Sequence, residues 1–329
     1  MLSRFLSSST RRRLSTSLMS SAPTQAKLSG SSLRLALIQL GGTGPTKQTN
    51  LSLARNKIRE AAKGDGNGKP DLIVLPEIFN SPYATGSFRH YAETIPFTRG
   101  QVTEPSALAG SESLVMLSQA AKEEGVWLVG GSIPELGPED KIYNSSPTFN
   151  RDGQLVALHR KVHLFDIDIP GGITFKESDT LTGGDRLTMV ETEFGNIAIG
   201  ICYDVRFPEM AQIAARAGAI AMIYPAAFNT TTGPLHWDLL QRARAVDNQF
   251  YVIMCSPARA TSGDGYKAWG YSGVTDPSGK IVAQLEEKEG ILFAEIDVEA
   301  IAKARAGIPV TVQRRFDVYS ATEEVKKGE

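Results

Sequence analysis

Short apolar runs that alternate with helical patterns constrain this chain more than any other feature. "LRLALIQL" (33–40), "DLIVLPE" (71–77), "VWLVGGSI" (126–133), "NIAIGIC" (196–202), "AIAMIY" (219–224) and "FYVIMCS" (250–256) are rich in Ile, Val and Leu. Runs of this length and composition read as buried strands. Helical patterns fall at 50–63, with Leu51, Leu53, Ile58 and Ala61 near one face, at 113–125, closed by Gly125, and at 207–217, 235–248 and 298–306. Hairpins are predicted at "NRDG" (150–153), "TEFGN" (192–196) and "DPSG" (276–279). Strands mixed with helices and hairpins imply a layered α/β fold with mixed sheets. The breaks at 63–70 and 136–141 are short, so residues 33–329 read as a single domain. The stretch "IPVTVQRRFDVYS" (308–320) reads as irregular and is expected to pack on a partner.

Charge and composition exclude several classes. Lys and Arg number 35 against 36 Asp and Glu, a net charge of −1, so no basic field holds a nucleic acid or an anionic membrane. No apolar run approaches the roughly 20 residues of a membrane-spanning helix. Two cysteines, Cys202 and Cys255, make no disulfide framework and read as reduced thiols. Residues 1–32 carry Arg4, Arg11, Arg12, Arg13 and Lys27 among many serines, and the first acidic residue is Glu60. That composition predicts a mitochondrial transit peptide, with a plastid address or a plain disordered tail as alternatives. Met19 offers a second start that would leave a cytoplasmic form.

The chemistry sits at strand ends. In "GICYDVRFPE" (200–209) a buried run meets Cys202 and turns into a helical pattern. A thiol at such a junction faces unpaired N–H groups and the positive end of a helix dipole, which favour thiolate. Cys255, inside "FYVIMCS", reads as a core thiol. None of the four histidines offers a recognisable Cys–His–Asn pattern. His159 and His163, four apart on a strand, would lie roughly 13 Å apart, too far for one metal ion. A carboxylate is the alternative base. Glu77 ends "DLIVLPE", and Lys161 lies in the strand "LVALHRKVHL" (155–164). Each taken alone also has an ordinary reading as a solvated charge or a core thiol. Arg206, four residues past Cys202, would stand in the first turn of the next helix. A cation there opposes the dipole and calls for an anion, which a substrate carboxylate or a neighbouring Asp204 or Glu209 could supply. Tyr83 in "NSPY" and Asn229 and Thr232 in "FNTTTGP" are further candidate pocket residues.

Taken together, "LPE", "HRKVHLF" and "GICYD", in this order and with similarity from about residue 33 to 320, resemble the nitrilase (carbon–nitrogen hydrolase) superfamily. "LPEIFNSPYATGSF", "HRKVHLFDIDIPGGITFKES" and "YPAAFNTTTGPLHWDLLQRARAVDNQ" are similar to the branch that hydrolyses side-chain amides of α-keto acids such as 2-oxoglutaramate and 2-oxosuccinamate. The resemblance implies a four-layer αββα sandwich, a homodimer and no metal or organic cofactor. It implies Cys202 as nucleophile, Glu77 as general base, Lys161 as cationic stabiliser, Glu177 as a second glutamate and the Tyr203 N–H as oxyanion donor. It also implies a small keto-acid amide as substrate. Tyr271, where relatives usually carry histidine, and Gly172 depart from the pattern.

Overall fold

The computed structural model describes residues 32–168, 174–261, 265–316 and 318. The predicted transit segment, except Ser32, lies outside these residues, as do Gly172 and most of the chain beyond Phe316. In chain order the elements begin with β1 (Leu33–Gln39), α1 (Lys47–Ala62), β2 (Leu72–Val74), α2 (Thr85–Tyr91) and α3 (Glu112–Glu124). They continue with β3 (Trp127–Val129), β4 (Ile133–Leu136), β5 (Ile142–Phe149), β6 (Leu155–Arg160), β7 (Asp166–Asp168) and β8 (Thr174–Lys176). The second half holds β9 (Thr188–Thr192), β10 (Gly195–Ile199), α4 (Pro208–Arg216), β11 (Ala219–Pro225), α5 (Thr232–Asn248) and β12 (Tyr251–Cys255). It closes with β13 (Gly273–Thr275), β14 (Ile281–Gln284), β15 (Gly290–Ile296) and α6 (Val298–Gly307).

Two mixed sheets carry these strands. One runs β15-β1-β2-β3-β5-β4, with β6 also on β5; the other runs β14-β13-β12-β11-β10-β9. The centre of each is parallel, β1 with β2 and β3 in the first and β10 with β11 and β12 in the second. Side-chain alternation explains why the apolar runs are continuous. Leu33, Leu35 and Leu37 face the second sheet, where they share a core with Ile197, Ile199, Ile223 and Ile253. Ala36, Ile38 and Leu40 point the other way, onto Leu51, Ala54 and Ile58 of α1 and Leu114 and Leu117 of α3. In the second sheet Ala198, Met222, Tyr224 and Met254 pack on α4 and α5, against Met210, Ala214 and Trp237. Both faces of each parallel core are therefore covered. The order is helix, sheet, sheet, helix, the four-layer sandwich expected from the resemblance.

Local signals account for the elements. Ser111 caps α3 by accepting the Leu114 N–H at 3.3 Å, and Gly125 ends it at a left-handed φ of 68. The three predicted hairpins form as β5–β6, β9–β10 and β13–β14, all antiparallel. Differences cluster where glycine or loop chemistry overrides the apolar run. "VWLVGGSI" is not one strand but β3 and β4, split at Gly130–Gly131. The strand predicted at 71–77 stops at Val74, so Glu77 stands on the loop beyond it. The strand through Lys161 stops at Arg160.

One buried carboxylate ties the two sheets together beside these strand ends. Asp204, just after β10, accepts the Ile201 N–H at 2.9 Å, the His163 N–H at 2.9 Å, His163 Nδ1 at 2.8 Å and His159 Nε2 at 3.0 Å. His159 is the next-to-last residue of β6 in the first sheet, so the carboxylate bridges the ends of strands from both. Since the strand ends at Arg160, the 13 Å separation expected for the two histidines does not apply: both rings reach one acceptor. Burial alone would raise the Asp204 carboxyl, but donation by His159 and His163 outweighs it and holds the group well below the usual carboxylate range. Removing this acceptor leaves four donors facing an emptied buried site. Asp204→Ala is expected to lower the unfolding free energy by about 3–5 kcal/mol, measured by denaturant unfolding; a loss under about 1 kcal/mol would show that the carboxylate does not hold the sheet edges.

Candidate active site

Glu77 reaches the site from strained backbone fixed by its neighbour strand. Gly131 sits at φ +62, where a Cβ would stand 2.2 Å from the Pro76 carbonyl oxygen. Only glycine allows that approach. Ser132 then donates its N–H to the same carbonyl at 3.2 Å, and its hydroxyl accepts the Ile78 N–H at 3.0 Å. Ile78 is held at φ 51, a left-handed conformation that β-branched residues rarely adopt. The loop carrying Glu77 is thus clamped on both sides of the side chain.

Cys202 also stands on left-handed backbone, at φ 45, as the first residue of a 3-10 turn, Cys202–Arg206. The helix expected at this junction starts only at Pro208. Arg206 therefore closes the short turn rather than opening α4, and the dipole reason given for it from sequence does not hold. Nor does the environment favour a free thiolate. Burial pushes the Cys202 thiol well above its ordinary value, and the nearby charge of Glu77 adds to this; Lys161 and the Ala227 N–H oppose it. A five-residue turn has too little dipole to win against full burial.

Lys161 leaves the sheet one residue after β6. Its N–H donates to the Asn144 carbonyl at 2.8 Å, and its carbonyl accepts the Gly184 N–H at 2.7 Å. The side chain is fully buried, with Nζ 3.2 Å from Glu77 Oε1 and 2.9 Å from Glu177 Oε1. Burial alone would lower this ammonium; Glu177 and Glu77 outweigh it and hold Lys161 well above its ordinary value. Glu177 follows β8 and is fixed by the Phe165 N–H, which its Oε2 accepts at 2.8 Å. Glu77 takes the Asn144 amide on Oε1 at 2.8 Å and the Tyr83 hydroxyl on Oε2 at 3.3 Å. Burial raises the Glu77 carboxyl above the ordinary range; Glu177 adds to the rise, while Lys161 and a hydrogen bond with Cys202 pull it down.

The residues singled out in the sequence converge. Tyr83, Cys202, Tyr203, Arg206, Asn229 and Thr232 line one tight cavity, whose base borders the Glu77–Lys161–Glu177 cluster. Asn229 Oδ1 accepts the N–H groups of Thr231 and Thr232 at 3.0 and 2.8 Å and so fixes the turn that leads into α5 as well as lining the cavity. Phe165, Phe228 and Tyr266 complete the wall and were not singled out, because isolated aromatics at 165, 228 and 266 carry no spacing signal. Asn144 was missed likewise, as one of several polar residues in "IYNSSPTF" with no spacing to single it out. Tyr83 and Tyr266, with ring centroids 4.3 Å apart, also line a second cavity of about 790 Å³ that reaches Glu77 from the other side. Tyr271 stacks on Trp269 at 4.6 Å, outside the thiol cavity. Among the described residues no group of three His, Cys, Asp or Glu is placed to hold a metal ion.

Comparison with known proteins gives the same picture. The family model described as carbon-nitrogen hydrolase matches residues 34–306. The omega-amidase NIT3 of Saccharomyces cerevisiae is 53% identical over 296 residues, covering 90% of this chain and 97% of that protein. A chloroplastic omega-amidase of Arabidopsis thaliana is 50% identical, covering 87% of this chain and 73% of that protein. The crystal structure of Saccharomyces cerevisiae Nit3, a member of branch 10 of the nitrilase superfamily, superposes with a TM-score of 0.77 at 49% identity, over 88% of this chain and 98% of that one. A four-layer sandwich, a buried thiol beside two glutamates and a lysine, and a family match spanning both sheets place the chain in the carbon–nitrogen hydrolase family.

Proposed function

We propose that the protein is an omega-amidase, hydrolysing the side-chain amide of 2-oxoglutaramate or 2-oxosuccinamate to the 2-oxo dicarboxylic acid and ammonia. The observation that carries this is the buried Lys161 ammonium held between Glu77 and Glu177 beside the Cys202 thiol. Glu77 takes the thiol proton as Cys202 Sγ attacks the amide carbon. The raised values of both groups suit a proton that passes between them at the moment of attack. Negative charge then develops on the amide oxygen. Lys161 and the Tyr203 N–H meet it; the first N–H groups of a 3-10 turn have no partner within the turn. Glu77 returns its proton to the departing amine, and ammonia leaves a thioester on Cys202. Water then gives a proton to Glu77 and its oxygen to the acyl carbon; the C–S bond breaks, and the proton returns to sulfur. Glu177 keeps Lys161 charged and aimed. Each oxyanion donor removed costs roughly 10²–10³ in rate in comparable sites.

Arg206 supplies the preference for an anionic substrate. Its guanidinium is half-buried in the cavity wall, and among the described residues no carboxylate pairs with it. Asp204, the neighbour that could have paired with it, is committed to the two histidines. A keto-acid carboxylate is the fitting partner. Tyr83, Asn229 and Thr232 line the same space as substrate-binding residues.

Residues 33–329 act as one catalytic unit on this reading, supported by the core shared between the sheets. We further propose a homodimer, supported by exposed Leu235, Leu239 and Val246 along α5. We also propose a mitochondrial address in residues 1–32, supported by their acid-free, Arg- and Ser-rich composition.

Cys202→Ala is expected to release no ammonia, and the parent enzyme is expected to show an acyl adduct on Cys202 by mass spectrometry. Turnover by the purified variant would end this mechanism, and a protein that never forms the adduct would be a scaffold on a hydrolase fold. Arg206→Met is expected to raise KM for 2-oxoglutaramate at least tenfold, as loss of a charged pair implies. The parent should prefer 2-oxoglutaramate over deaminated glutathione and over simple nitriles in steady-state ammonia release; the reverse order would reassign the substrate. A fluorescent reporter fused to residues 1–32 should enter mitochondria, and sedimentation should give twice the chain mass; a diffuse reporter or a monomer mass would remove the corresponding proposal.

A further inference from the structure

Arg206 has an unusual holder. Its Nη1 lies 3.1 Å from His236 Nδ1, one turn into α5, and its guanidinium carbon stands 4.8 Å from the Phe228 ring centroid and 5.5 Å from that of Tyr203. Nε is buried without a hydrogen-bond partner. A guanidinium has donors only, so Nη1 must donate and Nδ1 must be the acceptor. His236 is therefore neutral, with its proton on Nε2. The contact is distinct in kind from the carboxylate partners that fix Arg151 and Arg160 elsewhere in the molecule. A carboxylate beside Arg206 would cancel its charge and compete with an incoming anion. An imidazole lone pair fixes the orientation of the planar fork and leaves its charge uncompensated. Burial meanwhile lowers the guanidinium from its ordinary value, the mark of a cation short of a counter-ion.

We infer that His236 is a positioning residue for substrate selection: through Nδ1 it aims the Arg206 guanidinium at the substrate carboxylate without neutralising it. This rests on the proposed role of Arg206 as the carboxylate's partner. His236 touches neither the thiol cavity's reacting groups nor the Glu77–Lys161–Glu177 cluster. It acts on binding of the anionic end of the substrate, by way of Arg206.

The test compares steady-state hydrolysis of 2-oxoglutaramate and of an uncharged linear amide, pentanamide, by the full-length enzyme and three variants. His236→Ala is expected to raise KM for 2-oxoglutaramate about tenfold, as for loss of one hydrogen bond to a charged group, with kcat within about twofold. Its kcat/KM on pentanamide should stay within about twofold of the parent. His236→Asn, whose side-chain oxygen can take the place of Nδ1, should recover most of the KM. Arg206→Met should abolish the preference for the anionic substrate. If Arg206→Met abolishes that preference and His236→Ala leaves it intact, or weakens both substrates equally, the positioning role is overturned while the Arg206 assignment stands. If Arg206→Met also leaves the preference intact, the carboxylate assignment and the inference built on it both fall.

Discussion

One buried ammonium organises this protein. Lys161 Nζ sits between two carboxylates at 2.9 and 3.2 Å with no access to water, and each of its partners is fixed by a different part of the chain. Glu77 arrives from the first parallel strands, Glu177 from the excursion after β8, and Lys161 from the end of the β5–β6 hairpin. Such a cluster is costly to bury, and it survives because each carboxylate oxygen finds a donor, Asn144 and Tyr83 adding to Lys161 on Glu77 and the Phe165 N–H on Glu177. Two carboxylates against one ammonium leave one negative charge too many for a dry site. That surplus, together with burial, raises both the Glu77 carboxyl and the Cys202 thiol above their ordinary values. On the mechanism proposed above, the raised Glu77 carboxylate takes the thiol proton as the sulfur attacks.

The rest of the architecture serves the placement of these groups. Glu77 and Cys202 both follow central parallel strands, one in each sheet, at corresponding rims of the sandwich, where strand ends leave backbone free to turn. At both places the backbone is left-handed or flanked by a left-handed residue, Ile78 at φ 51 and Cys202 at φ 45. Strain of this kind persists only when surroundings impose it. For Glu77 the imposing contacts are Gly131 and Ser132; for Cys202 they are the donors gathered on Asp204, which reach both the residue before the nucleophile and the segment that carries Lys161. The same Asp204 therefore links the segment that carries the sulfur to the one that carries the ammonium, although it touches neither group.

Much of this was legible in the chain. Continuous apolar runs at 33–40, 219–224 and 250–256 demand cover on both faces and point to a layered α/β fold, while the four layers came from the family resemblance. The three hairpins followed from their turn residues. Glu77 and Cys202 were candidates at the ends of buried runs, each with an ordinary reading of its own, until the family resemblance joined them to Lys161. What failed were inferences from local continuity. Lys161 was read inside a strand that ends at Arg160, Arg206 was read into a helix that begins two residues later, and Cys202 was assigned a dipole that its five-residue turn does not supply. Strand and helix ends are set by tertiary hydrogen bonds, here those of Asn144, Gly184 and Asp204, and such partners lie tens of residues away in sequence.

By itself the sequence determined the layered class, which follows from the period of apolar positions, and offered candidate reactive residues, whose roles the family resemblance supplied. Only the tertiary structure decided the protonation and reach of those residues. Whether a thiol is charged depends on burial and on a glutamate 125 positions away. Whether an arginine is free for a ligand depends on the neighbouring aspartate being claimed by two histidines from β6 and the loop after it, and on a neutral ring from α5 standing where a carboxylate could have stood. These are properties of distance and dielectric, which come into being only when remote segments share one interior.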